Sequence, residues 1–270
     1  MIIDGKKISE EIKNELKEKI STLGRIPTLG IVYVGSDPVI DQFLNIKKKF
    51  GADIGVEVQV HTFDENIDAE ELKTSIKELS DRYDGLLVQL PLPFTFSTDD
   101  ILNSIPLARD VDMLSASSAQ AFFDNETTLF PPVVGAIKKI FDIHHVELRD
   151  KSIVVVGQGR LVGVPIMDWL KREHIKYELI TEETTNREEK FKQADVIMTG
   201  AGSPGMIQPE MLTQGVLLID AGTSEHSGKI KGDADPACAS KCSIFTPVPG
   251  GIGPLTVAHL FKNLLELISK

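Results

Sequence analysis

The run Lys47, Lys48 and Lys49 places amines on a predicted helix, and only the first of them shares a face with an aromatic residue. Lys47 follows Phe43 by four residues, which puts the two side chains one turn apart, whereas the neighbouring lysines point elsewhere. In a partly apolar cleft the charged form of a lysine is disfavoured, and the amine can then transfer protons near neutral pH. Taken alone, the run is more typical of a solvated helix face with snorkelling lysines.

Two further polar sites have suitable chemistry to work with such an amine. Gln89 lies in an apolar run, and its amide can donate and accept hydrogen bonds at once. Asp110 and Asp112 stand in a DVD segment, and a carboxylate can accept several hydrogen bonds at once. Without other signals, the glutamine is an ordinary strand residue and the two acids are ordinary loop acids.

The segment GQGRLVGVP contains Gly157, Gly159 and Gly163 and lies between an apolar strand and a helix. Glycines at such a turn let the backbone approach a pyrophosphate, and the following helix offers unpaired N–H groups to the anion. Gln158 and Arg160 belong to the same predicted cofactor site. Glycine turns between strand and helix also occur for packing alone, but the strand-to-helix setting favours dinucleotide binding.

A carboxylate that holds a ribose hydroxyl is expected about 20 residues further on, after the second strand of such a fold. Glu182 occupies that place, behind the strand YELIT. A carboxylate would bind the 2'-hydroxyl of NAD and repel the 2'-phosphate of NADP, so the sequence predicts a preference for NAD. A solvated loop glutamate is the alternative.

The elements that must position these residues follow an alternating pattern of strands and helices, which favours parallel sheets covered by helices. A length of 270 residues, with 41% apolar and 26% charged residues, is enough for two packed domains. The predicted strands cover residues 28–35, 56–62, 85–93, 152–156, 177–181, 196–199 and 216–221. The predicted helices begin after Ser9 and after the glycine turn, and cover residues 39–50, 68–82, 133–141 and 256–268.

We therefore predict a two-domain α/β protein with a cleft between the domains. Residues 1–120, completed by a C-terminal helix at 254–270, would form the N-terminal domain. Residues 121–253 would form a Rossmann-like NAD(P)-binding domain with a parallel sheet. The segment 97–128 has weak periodicity and many Ser, Asp and Asn residues, so we expect the connection there.

The charge and the cysteines narrow the class of protein. A formal net charge of -11 repels nucleic acid and anionic membranes, and no basic patch of useful size offsets it. No apolar stretch approaches the ~18 residues of a membrane span, so we expect a cytoplasmic protein without nucleic acid or membrane partners. The two cysteines, Cys238 and Cys242, fit no common zinc or redox motif and are expected to be reduced thiols.

A set of longer segments is shared with one known family. These segments are IDGKKIS, YVGSDP, FLNIKKK, GLLVQLPLP, DVD, VVVGQGRLVGVP, GDAD and TPVPGGIGPLT, and they run nearly end to end. Together they resemble the bifunctional methylenetetrahydrofolate dehydrogenase and methenyltetrahydrofolate cyclohydrolase family. The runs VQLPLP and TPVPGGIGPLT are long and unusual enough to make the resemblance specific.

The resemblance implies a role for each polar residue of the N-terminal, folate-binding catalytic domain. Lys47 matches the central catalytic lysine, Gln89 the glutamine that orients it, and Asp112 the aspartate that binds the pterin ring. Phe43 would stack on the folate, and Asp110 would lie beside Asp112 in the substrate site.

The resemblance also implies an activity and a cofactor. The expected reaction is oxidation of 5,10-methylenetetrahydrofolate with NAD or NADP, possibly followed by hydrolysis of the methenyl product to 10-formyltetrahydrofolate. Pro249, Gly250, Gly251 and Gly253 match the family's loop between the domains, where small residues let folate and nicotinamide approach closely. That loop also fits a plain helix-entry turn. A homodimer formed through the nucleotide-binding domain is expected by resemblance only.

Several positions depart from the family pattern. Phe43 replaces a tyrosine, Ile40 a serine, and Met113 the glycine after DVD. The departures further along the chain are FPPV at 130–133 for PCTP, Gln158 and Gly159 for arginine and serine, and Thr181 and Glu182 for a His-Ser pair. Loss of polar groups near the lysine weakens the hydrolytic half-reaction most, by on the order of 10² for each positioned group.

Two other interpretations stay open at this point. The altered positions fit a ligand-binding pseudoenzyme that keeps the fold without turnover, or a dehydrogenase that acts on a different small molecule. The joint presence of Lys47, Gln89 and Asp112 argues against both.

Overall fold

The computed structural model describes residues 1–226 and 229–269, and the chain forms two compact units. The five-stranded unit contains residues 1–9 and 133–256, and the three-stranded unit contains residues 10–132 and the chain from Val257 onward. The predicted α/β class with parallel sheets is confirmed in both units.

The first half of the chain alternates helices with parallel strands. Its helices are α1 (Gly5–Ser21), α2 (Pro38–Ile54), α3 (Ala69–Arg82), α4 (Thr98–Leu102) and α5 (Ala116–Phe123). Its strands are β1 (Thr28–Val34), β2 (Glu57–Phe63) and β3 (Gly85–Val88), which pair in the order β2-β1-β3. β3 and most of β1 are buried, and these two strands read as continuous apolar runs.

The second half supplies the larger sheet. Its helices are α6 (Pro132–Ile143), α7 (Gly163–Arg172), α8 (Arg187–Gln193) and α9 (Ile252–Ile268), with short 3₁₀ helices at Pro209–Met211 and Pro236–Ser240. Its strands are β4 (Ile153–Val156), β5 (Glu178–Ile180), β6 (Val196–Thr199), β7 (Val216–Asp220), β8 (Ser224–His226), β9 (Lys229–Lys231) and β10 (Cys242–Phe245). The five-stranded sheet is wholly parallel in the order β10-β7-β6-β4-β5, so all five carboxyl ends meet at one edge.

Local sequence sets both ends of α2, the helix that carries the lysine run. Asp37 is the N-cap, and its carboxylate accepts hydrogen bonds from the backbone N–H groups of Val39 at 2.7 Å and Ile40 at 3.4 Å. Pro38 fits the first turn because its missing N–H would be unpaired there. Gly55 ends the helix with a φ of 87°, a left-handed conformation that glycine adopts without strain.

The segment after α4 extends the three-stranded sheet. Leu86 in β3 donates to the carbonyl of Arg109 at 2.7 Å and pairs in parallel with Asp110. The Gln89 N–H donates to the carbonyl of Val32 at 2.8 Å, so the glutamine continues the line of β3. The sheet therefore brings the DVD segment and Gln89 to neighbouring positions.

The two thiols are part of the core of the five-stranded unit. Cys238 and Cys242 are buried and free, and burial raises their pKa values to about 12 and about 11, respectively. Both are therefore inert thiols. No helix among the described residues is both long and apolar enough to cross a membrane.

The structure corrects several predicted boundaries. α1 begins at Gly5 rather than after Ser9, and β3 ends at Val88 instead of reaching residue 93. The segment 97–128 is not a bare connection, because Ser97 and Ser115 cap the short helices α4 and α5, which are too short to show periodicity. Cys242–Phe245 forms a strand that the sequence analysis missed.

The compact units are also bounded differently from the predicted domains. The breaks fall between 132 and 133 and between 256 and 257, rather than after 120 and 253, and residues 1–9 join the five-stranded unit. Asn263 of α9 donates to the carbonyl of Phe130, and this hydrogen bond connects the segment just before the break at 132 to the rest of the three-stranded unit. Lys270, the last residue of the predicted C-terminal helix, lies outside the described residues.

Replacement of Asn263 tests how the DVD segment is held. The Asn263 amide is 3% exposed and donates to the carbonyls of Val111 at 2.9 Å and Phe130 at 2.8 Å. Asn263→Leu leaves two buried carbonyls without these donors, so we expect a loss of about 2–4 kcal/mol in the free energy of unfolding by urea. Asn66→Leu, in an exposed turn, is the control and should change stability by less than ~0.5 kcal/mol. Equal stability of both variants would contradict this role for Asn263.

Candidate functional site

Lys47 and Gln89 meet in the three-stranded unit. Nζ of Lys47 donates a hydrogen bond to Oε1 of Gln89 at 2.9 Å, and both residues are half-buried. Nε2 of Gln89 donates to the carbonyl of Leu90 at 2.8 Å, which fixes the orientation of the amide. The amide oxygen is thereby directed at the lysine, and the amine has a defined partner in a partly desolvated place.

The DVD segment adds two carboxylates near this pair. Burial lowers the pKa of Lys47, and the negative charge of Asp112 acts in the opposite direction. Burial raises the pKa of Asp112 to about 6, the Lys47 cation opposes this, and the Asp110 carboxylate adds to it. One amine and one carboxyl group thus have pKa values displaced towards each other and towards neutrality, as acid and base catalysis requires.

Asp110 is almost fully buried, at 1% exposure, and only part of its carboxylate is satisfied. Oδ2 accepts from the backbone N–H of Ser115 at 2.8 Å. Oδ1 has no hydrogen-bond partner in the described part of the chain. The carboxylate therefore fixes the start of α5 and keeps one oxygen available.

Three departures from the family pattern lie next to this cluster in the sequence. Ile40 is buried and Phe43 is half-buried on α2, so no hydroxyl is present at either position. Met113, directly after Asp112, has a φ of 58°, a left-handed conformation that favours glycine. Burial of the methionine side chain offsets a strain of about 1–2 kcal/mol in this conformation.

In the five-stranded unit the glycine turn fits an anion-binding role. Gly157 has a φ of 86°, and a Cβ on Gly163 would lie 2.2 Å from the carbonyl oxygen of Gly157. Only glycine permits the turn at one position and the close approach of α7 at the other. α7 begins without a side-chain cap. The N–H of Val164 donates to the carbonyl of Gly159 at 3.1 Å and Pro165 has no N–H, so Gly163 supplies the N–H of this first turn for an anion. A Cβ on Gly159 would have ordinary space, so this glycine is not required by packing.

The other predicted cofactor residues surround this turn. Gln158 and Arg160 are exposed in the turn itself. Glu182 is exposed two residues beyond β5, and β5 pairs with β4 so that Ile180 lies opposite Val156. The glutamate therefore lies at the sheet edge where the glycine turn begins.

The proline and glycine segment after β10 is held by the N-terminus of the chain. The N–H of Gly5 donates to the carbonyl of Gly250 at 2.9 Å, and a Cβ on Gly5 would lie 1.8 Å from the carbonyl oxygen of Gly251. Gly250 has a φ of 107°, and α9 starts at Ile252. Pro249 and Gly253 are exposed on either side of this turn. The segments IDGKKIS and TPVPGGIGPLT therefore form one packed structure.

Sequence reasoning missed four residues that organise these sites. Asn263 supports the DVD segment, while Asp220, Asp233 and Thr199 form a buried network at the carboxyl edge of the larger sheet. The GDAD segment was the available signal for Asp233. Asp220 had no comparable signal, because a single aspartate at the end of a strand does not show which groups it binds.

A wholly parallel sheet with a glycine turn and an uncapped helix at its carboxyl edge defines a dinucleotide-binding α/β unit. Residues 3–112 match the family model described as the catalytic domain of tetrahydrofolate dehydrogenase/cyclohydrolase. Residues 131–270 match the model for the NAD(P)-binding domain of the same enzymes. The chain belongs to the tetrahydrofolate dehydrogenase/cyclohydrolase family, which confirms the resemblance seen in the sequence.

Individual relatives are similar over nearly the whole chain. "Bifunctional protein FolD" of Caldanaerobacter subterraneus subsp. tengcongensis is 35% identical over 98% of this chain and 96% of its own length. The crystal structure of the bifunctional enzyme FolD from Campylobacter jejuni has a TM-score of 0.94 at 32% identity and covers 100% of this chain and 98% of its own. The Trypanosoma brucei enzyme, solved with NADP cofactor and inhibitor, has a TM-score of 0.94 at 26% identity, with 100% and 97% covered.

Proposed function

We propose that this protein oxidises 5,10-methylenetetrahydrofolate to 5,10-methenyltetrahydrofolate with NAD or NADP and hydrolyses the product, at a reduced rate, to 10-formyltetrahydrofolate. The observation that carries the proposal is the hydrogen bond from Lys47 to the fixed amide of Gln89. The raised pKa of the nearby Asp112 supports it. The relatives that the chain matches nearly end to end are named as bifunctional enzymes of this reaction pair.

Lys47 supplies the proton chemistry in this proposal. Partial burial lowers the pKa of Lys47 and favours the neutral amine, which can accept a proton. The negative charge of Asp112 opposes this shift and stabilises the protonated form. In the oxidation the methylene carbon loses a hydride and no proton, so there the Lys47 amine polarises the folate at the one-carbon unit. In the hydrolysis it takes up the proton that water loses as it adds to the methenyl carbon. Gln89 is a positioning residue, because its oxygen holds Nζ and its own amide is fixed on Leu90.

The carboxylates hold the pterin in this account. Asp112 accepts paired hydrogen bonds from the aminopyrimidine edge, which suits a group whose pKa is raised to about 6 and is ionised at neutral pH. Asp110 supports the segment through Ser115 and has one oxygen without a partner in the described chain. Phe43 stacks on the folate ring, and this contact needs no hydroxyl.

The dinucleotide is held by the glycine turn in this proposal. When bound, a nicotinamide would supply the hydride acceptor for the oxidation. Gly157, Gly159 and Gly163 at the start of α7 would hold the pyrophosphate of the dinucleotide, together with Gln158 and Arg160 of the same turn. Glu182 would bind the ribose hydroxyls, and Pro249, Gly250, Gly251 and Gly253 would place little side-chain bulk against a bound ligand.

The cellular setting is part of the proposal. A cytoplasmic homodimer that binds neither nucleic acid nor membrane fits the net charge of -11 and the buried, reduced thiols. The pseudoenzyme alternative is not favoured, because the cluster around Lys47 is intact. The same cluster argues against a dehydrogenase for an unrelated small molecule, since that reaction would not need an amine paired with Gln89.

Lys47→Met should abolish the folate-dependent reaction while the fold survives. The methionine keeps most of the apolar stem but removes the amine, so kcat/KM for methylenetetrahydrofolate should fall by at least ~10². Absorbance at the reduced-cofactor and methenyl bands measures the reaction with NAD or NADP. Lys48→Met is the matched control, because Lys48 is an exposed neighbour on the same helix and should leave kcat/KM unchanged. Folate-dependent reduction that survives Lys47→Met would overturn the proposal, and no signal from the unaltered protein would favour the pseudoenzyme.

Phe43→Tyr should restore part of the hydrolytic activity. The hydroxyl returns to the helix turn before Lys47 and adds a polar group to its network, so hydrolysis of methenyltetrahydrofolate should accelerate by roughly tenfold or more. Loss of the methenyl band without dinucleotide measures this step alone. Phe50→Tyr offers no such gain, because Phe50 is packed against Phe261 in the core. An unchanged hydrolysis rate in Phe43→Tyr would show that the missing hydroxyl is not the limiting departure.

The cofactor preference should depend on Glu182. The unaltered protein should give a higher kcat/KM with NAD than with NADP, and Glu182→Gln should reduce the ratio about tenfold by removal of the negative charge. Glu183→Gln is the matched control, because the adjacent glutamate is equally exposed and is not assigned to the ribose. A clear NADP preference in the unaltered protein would end the NAD hypothesis but not the proposed reaction.

A further inference from the structure

Two buried aspartates stand at the carboxyl edge of the five-stranded sheet, outside the residues assigned above. Asp220 ends β7, and Asp233 lies in the GDAD segment; each is 1% exposed. Burial raises the pKa of Asp220 to about 7, and the nearby Asp233 charge adds to this. Burial of two carboxyl groups costs free energy unless their oxygens accept hydrogen bonds. The donors that bind them therefore indicate which segments these two aspartates stabilise.

The carboxylate of Asp233 accepts hydrogen bonds from the end of β6 and the loop that follows it. Its Oδ2 accepts from Oγ1 of Thr199 at 2.7 Å and from the N–H of Ala201 at 2.8 Å, and its Oδ1 accepts from the N–H of Ser203 at 2.7 Å. Three donors within five residues therefore point at one carboxylate. Such an arrangement fixes the path of the loop much more firmly than a single bond would.

Asp220 holds Asp233 in place from the other side. It accepts from the N–H of Ala234, the residue after Asp233, at 2.8 Å, and from the N–H of Gly222 at 2.9 Å. A Cβ on Gly222 would lie 2.3 Å from the Asp233 carboxyl carbon, and a Cβ on Gly232 would lie 2.2 Å from Oδ2 of Asp220. Each carboxylate thus packs against a glycine beside the other, and the two segments are interlocked.

The loop held by Asp233 touches the glycine turn. A Cβ on Gly157 would lie 2.9 Å from Cα of Ala201 and 3.0 Å from the carbonyl oxygen of Gly200. A Cβ on Gly200 would in turn lie 2.2 Å from the side chain of Val162 at the start of α7. The position of the loop therefore decides where the glycine turn and the start of α7 lie.

We propose that Asp233 is a positioning residue for the dinucleotide: it fastens residues 199–203 against the glycine turn and thereby sets the affinity for NAD or NADP. This inference rests on the proposed function only in that the turn binds the dinucleotide. Asp233 does not touch the cofactor in this account. Its effect is on cofactor binding and not on the folate site of the three-stranded unit.

Direct binding of NADH and NADPH tests the inference. Trp169, the one tryptophan in the sequence, lies in α7, so energy transfer from it to a bound reduced nicotinamide reports binding. Asp233→Asn keeps one acceptor oxygen and loses the other, and it should raise Kd and the KM for the dinucleotide about tenfold. The KM for methylenetetrahydrofolate should stay within about twofold, a split that a general loss of structure would not produce.

Two more variants keep the test decisive. Asp235→Asn is the matched control, because this GDAD aspartate caps the 3₁₀ helix at Pro236–Ser240 and should leave the Kd unchanged. Thr199→Val removes one donor from Asp233 in an isosteric side chain, so it should raise the Kd in the same direction, by less. Unchanged dinucleotide binding in Asp233→Asn, or equal rises in both KM values, would overturn the inference. Absence of dinucleotide binding in the unaltered protein would instead contradict the proposed function.

Discussion

The hydrogen bond between Nζ of Lys47 and Oε1 of Gln89 is the interaction on which the proposed chemistry of this protein depends. An amine that is partly removed from water favours its neutral form and needs a partner to be held in one place. Gln89 provides an acceptor without a charge, so it positions the amine and leaves its proton affinity to burial and to Asp112. A carboxylate in place of Gln89 would stabilise the cation and make the amine a poorer base.

The fold meets this requirement with few elements. α2 carries the lysine, the line of β3 carries the glutamine, and the segment that pairs with β3 carries the aspartates. Asn263 then supports that segment from α9, so residues far apart in sequence fix one another. The five-stranded unit uses the same principle at its carboxyl edge, where parallel strand ends converge and buried acids hold the connecting loops.

Much of this could be predicted from the sequence because its signals are local. Apolar runs bounded by glycine and proline gave most of the strands, and Phe43 and Lys47 at helical spacing gave the orientation of the lysine. The short helices α4 and α5 were missed because 5 and 8 residues cover too few turns for a helical pattern of apolar residues to stand out. Asp233 and Asn263 could not be assigned, since their partners are backbone groups and a hydroxyl whose positions only the folded chain defines. The left-handed backbone at Met113 was likewise hidden, because methionine gives no local sign of it.

The most direct test of this account is the titration of Lys47 itself. ¹⁵N NMR of lysine-labelled protein, with the Nζ signal assigned by its loss in Lys47→Met, would follow the amine in the unaltered chain and in Asp112→Asn. The account predicts a midpoint below the ordinary lysine value of about 10.4, and a lower one still when the Asp112 charge is removed. A Lys47 signal that titrates with the bulk of the lysines and does not respond to Asp112→Asn would contradict it.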